Sequence, residues 1–299
     1  MSIDPVALRT LSAVVRERTF ERAAARLHIT PSAVSQRIKA LEQSVGQVVV
    51  GRTKPITPTP AGDVLLRLAG HWDLLVHDAL AELVPQTKDT AYPLVPIVVN
   101  ADSLSSWILP ALARAQEELG VTLEVIREDE EHASELVRSG AALAAVTADP
   151  RVVAGCRLTK LGALRYVAVC APAFKERWLP RGARAADLDR APMVRFDRKD
   201  TMQHRVARRW VRRDIDPPAT YIGSSREFAE AIRLGMGWGM VPLEWAEADL
   251  AAGHLVRVTA SASAQHDVPL HWLAWKLPSR TLDVLTRCIT QEAESALLR

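Results

Sequence analysis

The chain has 299 residues, with 38 Lys/Arg against 35 Asp/Glu, a formal net charge of +3, 48% hydrophobic and 24% charged residues. That is enough for two or three domains with substantial cores and an ordinary soluble composition. No apolar run reaches the roughly eighteen residues that span a bilayer, and residues 1–9 carry Asp4 and no apolar stretch of the secretory kind, so a cytoplasmic location is expected. Cys156, Cys170 and Cys288 stand far apart with no C-x-x-C pair, which argues against a disulfide framework and a structural zinc site and reads them as small core residues.

The charge is unevenly spread. Residues 1–60 hold nine Lys/Arg against Asp4, Glu17, Glu21 and Glu42, a local net of +5. Residues 61–90 hold Arg67 and Lys88 against five acids, a local net of −3. A basic head on a near-neutral body suits a polyanion, although charge alone selects no partner.

Within the head, Leu8, Leu11, Val14 and Val15 recur at helical spacing, so Pro5–Glu17 is predicted as an amphipathic helix. Phe20–Leu27 follows as a second helix, whose three consecutive alanines allow close approach of a neighbour. After the turn His28-Ile29-Thr30, Thr30 is a suitable N-cap and Pro31 sits at the first helical position. A third helix, Pro31–Val45, ends at Gly46. Its Val34, Ile38 and Leu41 form a buried stripe, leaving Ser32, Ser35, Gln36 and Lys39 on the other face. Hydroxyl, amide and amine tips on a short helix suit base edges in a major groove, while a merely solvated face is the plain alternative. Residues 47–50 read as a strand, and Gly51-Arg52-Thr53-Lys54-Pro55 as the basic tip of a hairpin returning through residues 56–58. Such a wing contacts phosphate or the minor groove.

The run FERAAARLHITPSAVSQRIKALE, residues 20–42, resembles the helix-turn-helix of LysR-type transcriptional regulators, and residues 46–62 resemble that family's wing and exit. The resemblance implies DNA contacts from Pro31, Ser32, Ser35, Gln36, Arg37 and Lys39 in the groove, with Arg52, Thr53 and Lys54 on the backbone.

Thr59 is predicted to cap, and Pro60 to open, a long helix ending before Pro85. Leu65, Leu68, Trp72, Leu75 and Ala79 alternate at spacings of three and four, an a/d seam that a homodimeric coiled coil would bury. Packing on the chain's own following domain is the alternative. Residues 86–92 form a polar hinge. The expected domains are therefore 1–58, a winged helix-turn-helix; 59–92, the linker and dimerisation helix with its hinge; and 93–299, an effector-binding region.

From Leu94 strands and helices alternate. Strands are predicted at 94–99, 121–126, 142–147, 164–170, 194–196, 238–241 and 271–275, and helices at 103–119, 131–138, 227–235 and 281–298. The fold class is thus α/β with a winged helical head. The LysR-type resemblance implies that the effector region divides into two α/β subdomains like those of periplasmic binding proteins, about 93–163 with 268–299, and about 164–267. Ligands of open α/β sheets sit beyond the carboxyl ends of strands, where helix N-termini point. That rule selects Asn100, Asp102, Ser103, Ser106 and Trp107 after the first strand, Glu128 and Asp129 after the second, Thr147 after the third, and Ser224 and Ser225 before a later helix. Free N–H groups over residues 103–106 would take a carboxylate and the acids a cation, with simple capping and a solvated acidic run as the plain alternatives. Trp107 offers a face for a guanidinium or a core side chain.

Residues 99–104 with Trp107, 160–166 and 235–242 also resemble the arginine- and lysine-responsive branch of the family (ArgP, IciA, LysG). That implies a basic amino acid effector in the cleft between subdomains, control of its export or metabolism genes, a homodimer that commonly doubles to a tetramer, and contact with RNA polymerase as an open partner. Double-stranded promoter DNA is the other partner. The sequence holds no G-x-S-x-G, Walker A or H-E-x-x-H motif and no metal-ligand spacing of its eight histidines, so neither an enzyme nor a cofactor or metal is expected. A nucleoid-type or replication-control DNA binder of low sequence specificity is the alternative function.

Overall fold

The computed structural model describes residues 3–51, 53–83, 94–128, 130–260 and 264–299, with only the backbone of Glu130 and Glu131. The predicted hinge, Arg52 and Asp129 lie outside the described residues. The elements run α1 (Pro5–Glu17), α2 (Phe20–Leu27), α3 (Pro31–Val45), α4 (Pro60–Leu83), β1 (Leu94–Val99), α5 (Ala101–Ser105), α6 (Leu109–Leu119), β2 (Thr122–Arg127), α7 (Glu130–Ser139), β3 (Ala144–Thr147), β4 (Cys156–Cys170), α8 (Pro172–Trp178), α9 (Ala185–Leu188), β5 (Met193–Arg195), α10 (Met202–Val211), β6 (Ala219–Tyr221), α11 (Ser225–Arg233), β7 (Gly239–Pro242), α12 (Leu243–Ala252), β8 (Val256–Arg257), β9 (Gln265–Trp275) and α13 (Arg280–Ala296).

The head is a helical cluster closed by a short wing. Leu8, Leu11 and Val14 of α1 meet Val34, Ile38 and Leu41 of α3, and all six are essentially inaccessible to solvent. Thr19 and Thr30 cap α2 and α3 through their side-chain oxygens, and His28 closes α2 in the left-handed region at φ 53°. The wing is shorter than the predicted strand at 47–50. Among the described residues its pairing consists of one bridge, Val50 to Pro58, with Gly51 N–H donating to Thr57 O and Thr59 N–H to Val49 O. Pro55 and Pro58 lack N–H donors, which limits how far a ladder can grow.

The chain divides into two compact units: unit 1, residues 1–100, 110–159 and 271–289; unit 2, residues 101–109, 160–270 and 290–299. In unit 1, β1 lies between β2 and β3, parallel to both (Ile97 opposite Val125 and Ala144), and β3 pairs antiparallel with β9 (Val146 opposite Trp272). Helix α7 packs on β3 and β1, enclosing Val98, Val137, Ala145, Cys156 and Leu273. In unit 2, β4 pairs antiparallel with β7 and β8, and β5 runs parallel to β6. Its core joins Val167, Val169, Val194, Phe228, Ile232 and Val241. All three cysteines are buried, and burial pushes the thiols of Cys156 and Cys170 up to about 11 and about 12.

The single helix predicted over 103–119 is two helices, α5 and α6. Pro110 cannot donate to the carbonyl four residues before it, so a continuous helix would lose a bond and clash there. Trp107 and Ile108 N–H instead both return to Ser103 O.

Helix α4 has two apolar faces. One packs within unit 1: Leu65 and Ala69 join the head core, Leu74 is buried, and Asp78 is 8% exposed. The Asp78 carboxylate accepts hydrogen bonds from Ser279 Oγ and Thr281 Oγ1, each at 2.6 Å, and from Thr281 N–H at 3.4 Å. It thereby satisfies donors at the start of α13, where a negative charge is also favoured by the helix dipole. About three turns earlier in α4, Arg67 donates to Arg138 O at 2.9 Å and lies over the Trp275 ring at 5.6 Å. Gly140 (φ +82°) lets this approach occur, because a Cβ there would stand 2.2 Å from Arg67 Cα.

The other face of α4 leaves Val64, Leu68, Trp72, Leu75, Val76, Leu80 and Leu83 between 37% and 77% exposed, and Ala79 exposed. Four of the five predicted seam residues therefore face outward, while Leu65 faces the head core. The a/d reading misplaced Leu65 because the first turn of α4 is also the last helix of the head.

Replacing Asp78 by Ala leaves two buried hydroxyls without their acceptor. The expected loss is about 1–3 kcal/mol in denaturant unfolding of the full chain, with Asp78→Asn less severe because one carbonyl oxygen remains.

Candidate nucleic-acid interface and effector site

The interface of the head is built by α3. With Val34, Ile38 and Leu41 turned inward, Pro31, Ser32, Gln36 and Lys39 are exposed, and Ser35 and Arg37 half-exposed. Thr30 Oγ1 accepts from Ala33 N–H at 3.2 Å, fixing the helix start that presents Ser32. At the other end Glu42 Oε1 accepts from Val49 N–H at 3.0 Å, and Ile56 N–H donates to Arg18 O at 3.1 Å. The wing is thereby held against α3 and the end of α1, with Thr53 and Lys54 exposed. Arg22 and Arg26 share Glu17, at 3.2 and 3.5 Å, whereas Lys39 and Lys54 form no ion pair among the described residues. The structure thus brings Pro31, Ser32, Ser35, Gln36, Arg37 and Lys39 onto one helix next to Thr53 and Lys54. These are the donors that groove and phosphate contacts require.

The residues predicted to hold an effector fall on both units. Asp102, Ser103, Ser106, Trp107, Ser224 and Ser225 are in unit 2; Asn100, Glu128 and Thr147 are in unit 1. In unit 2 a polar cluster centres on Asp102, in α5. Its Oδ2 accepts from Tyr166 Oη at 2.5 Å, and its Oδ1 from Ser225 Oγ at 2.8 Å. Tyr166 lies on β4 and Ser225 opens α11, so three elements converge on one carboxylate. Asp102 keeps some solvent contact, whereas Tyr166 and Ser225 are buried. Burial pushes the Asp102 carboxyl up from its ordinary range; the two hydrogen bonds pull it down, and Asp200 pushes it up.

Ser103 is fully buried inside α5, and Ser106 Oγ donates to the backbone O of Asp102 at 2.6 Å. The helix thus starts at Ala101, two residues earlier than its serines suggest, so residues 103–106 are not its first turn as predicted. Trp107 is 3% exposed and packs in the core, leaving no open face for a guanidinium. Ser224 bonds the Glu227 carboxylate, which this contact holds below its usual range. In unit 1, buried Thr147 receives Asp149 N–H on its Oγ1 at 3.0 Å, a turn contact at the end of β3. Asn100 is half-buried after β1, and Glu128 is exposed after β2.

Sequence reasoning missed the part played by Tyr166. Its apolar strand neighbours mark a buried position, and a buried phenol needs a partner. Nothing local indicates that the partner is 64 residues away. Among the described residues no helix is long and apolar enough to cross a membrane, and no group of three or more His, Cys, Asp or Glu could hold a metal ion.

Residues 6–63 match the bacterial regulatory helix-turn-helix protein, lysR family, and residues 95–294 match the LysR substrate binding domain. The lysine export transcriptional regulatory protein LysG of Corynebacterium efficiens is 39% identical over 304 residues, covering 99% of each chain. The crystal structure of ArgP from Mycobacterium tuberculosis aligns with a TM-score of 0.86 and 41% identity, over 100% of this chain and 99% of that one. Full-length LysG from Corynebacterium glutamicum with bound effector Arg aligns at 0.77 and 34%, over 99% of this chain and 100% of that one. With helix-turn-helix and effector region both matched, and relatives of this identity along nearly the whole length, this chain belongs to the LysR family of bacterial transcriptional regulators.

Proposed function

We propose that this regulator senses a basic amino acid, arginine or lysine, and controls genes for its export or metabolism. The observation that carries the reading is the Asp102 carboxylate, deeply set, oriented by Tyr166 and Ser225, and still reachable by solvent. Ionising a carboxyl in such a place is costly unless a cation comes to it, and a zwitterion with a second positive charge supplies one. The arginine held by the C. glutamicum relative supports this choice of ligand. The low-specificity DNA binder finds no support in relatives described as regulators of lysine export. Asp102 is the ligand's cation partner, with Ser224 as a further candidate contact on the same unit. A second copy of the chain covers the outward α4 seam, and the pair of heads reads a two-fold site on promoter DNA. Doubling of that dimer to a tetramer, contact with RNA polymerase and a cytoplasmic location belong to the same reading.

Titration calorimetry of the full chain with arginine and lysine should show saturable binding, and neither amino acid binding would overturn the reading. The pH dependence has a definite sign. Folding raises the Asp102 pKa, so the folded state favours the protonated form, and ionising it above that pKa costs stability. A ligand cation needs the ionised form, so affinity should rise with pH through the Asp102 titration, with a proton released on binding. Asp102→Asn should weaken binding and remove both effects; an unchanged affinity would exclude Asp102 from the site.

For DNA, Gln36→Ala should cost about 1–3 kcal/mol of operator binding and much less on random DNA, as read by competition titration. Equal losses on both would remove the base-reading role. Replacing Leu68 and Leu75 together by Gln should shift sedimentation towards the monomer and lower operator affinity, and an intact dimer would remove the seam assignment.

A further inference from the structure

Helix α10 turns Val206 and Ala207 into the core of unit 2, and its buried Gln203 donates to Val194 O at 2.9 Å. Its other side is a row of arginines. Arg205, Arg208 and Arg209 are exposed at i, i+3 and i+4 on one face, and exposed Arg212 continues the row just past the helix as its C-cap, in the left-handed region at φ 57°. The charge is concentrated here: residues 195–213 hold seven arginines and one lysine against two aspartates, in a chain whose net charge is +3.

The fold neutralises little of this row. Arg208 reaches Asp214 at 3.4 Å, but both side chains are exposed, 67% and 81%. Arg209 donates to His266 Nδ1 at 2.8 Å, which requires a neutral imidazole; burial, then Arg209 and Arg205, push that histidine's pKa down. The side chains of Arg205 and Arg212 make no hydrogen bond or ion pair among the described residues. Cations in the last turn of a helix offset its dipole, which accounts for Arg208 and Arg209. It does not account for Arg205, which lies towards the positive end of α10. Every cation of the row is arginine, whose planar fork matches phosphate oxygens in pairs. Four like charges in a row without matching acids are relieved by an external polyanion.

We propose that this face of α10 is a second, sequence-independent contact with DNA, gripping phosphates of the duplex that flanks the site read by α3. The proposal rests on the DNA-binding reading of the head. It adds that the effector region takes part in holding the promoter, which gives an effector-responsive part of the chain a direct grip on the DNA path.

The test uses the full chain with Arg205→Ala and Arg212→Ala combined, since neither residue has an internal partner to lose. Binding is titrated against salt on a minimal operator and on the same operator with long flanks. On flanked DNA the wild type should show a steeper salt dependence than the variant, by about two units of log K per log salt at about 0.9 per phosphate. The two proteins should match on the minimal operator. Charge reversal to Glu at both positions should enlarge the difference on flanked DNA, with an unchanged arginine thermal shift reporting an intact fold. Equal slopes on flanked DNA for wild type and both variants would overturn the proposal. So would unchanged slopes combined with a loss of promoter activation in purified transcription, which would assign the face to an acidic protein surface. No operator binding by the wild type would instead strike the head reading itself.

Discussion

A 24-residue helix with apolar side chains on two faces cannot be satisfied by one partner, and α4 is that helix. One face is spent inside the protomer, from Leu65 and Ala69 in the head core to Leu74 and Asp78 further along. The other, from Val64 to Leu83, holds seven large hydrophobic side chains at least 37% exposed. Their burial is worth about 25 cal/mol for each Å² removed from water. Because the first turn of α4 is also part of the head, whatever covers the outward face acts on an element shared with the reading domain. The architecture of recognition therefore depends on how this helix divides its two faces.

The inward face carries a polar fastening that hydrophobic burial alone would not give. Leucines tolerate sliding by a fraction of a turn, whereas the Asp78 carboxylate finds Ser279 and Thr281 at a single register. Gly140 sets the same register sterically, since no side chain fits between its backbone and Arg67. The contact thus acts as an index mark between linker and effector subdomain. A change in unit 1 can be felt along α4 as displacement rather than absorbed by repacking.

The head was legible in the sequence almost residue by residue, since α1, α2 and α3 depend on local signals: Thr19 and Thr30 as caps, Pro5 and Pro31 at helix starts, Gly46 at the end. The wing ladder was overestimated because β-propensity at Val48-Val49-Val50 outweighed the prolines facing them. In the effector region β1, β2 and β3 were legible as apolar runs. The first half of β4 was not, because Arg157 and Lys160 interrupt it. Helices α8, α9, α10 and α12 were not predicted; in α10 three arginines within ten residues interrupt the apolar positions Met202, Val206 and Trp210. The candidate site was half legible. Asp102 and Ser225 follow from the strand-end rule, but Tyr166 is paired to Asp102 only by the tertiary fold.

That pairing suggests how the protein reports a ligand. A carboxylate in a low-dielectric setting can be neutralised by a proton or by an ammonium or guanidinium group, and only the latter has size and direction. Tyr166 and Ser225 hold both oxygens of Asp102 in place, so the carboxylate is an oriented acceptor on α5, a helix only five residues long. Chain continuity gives α5 its reach: α5 follows β1 directly at Asn100, and β1 is bound in register to β2 and β3. The sheet in turn supports α7, against which α4 is packed. The Asp102 carboxylate is fixed by a phenol on β4 and a hydroxyl at the start of α11, two neutral donors that orient it without cancelling its charge.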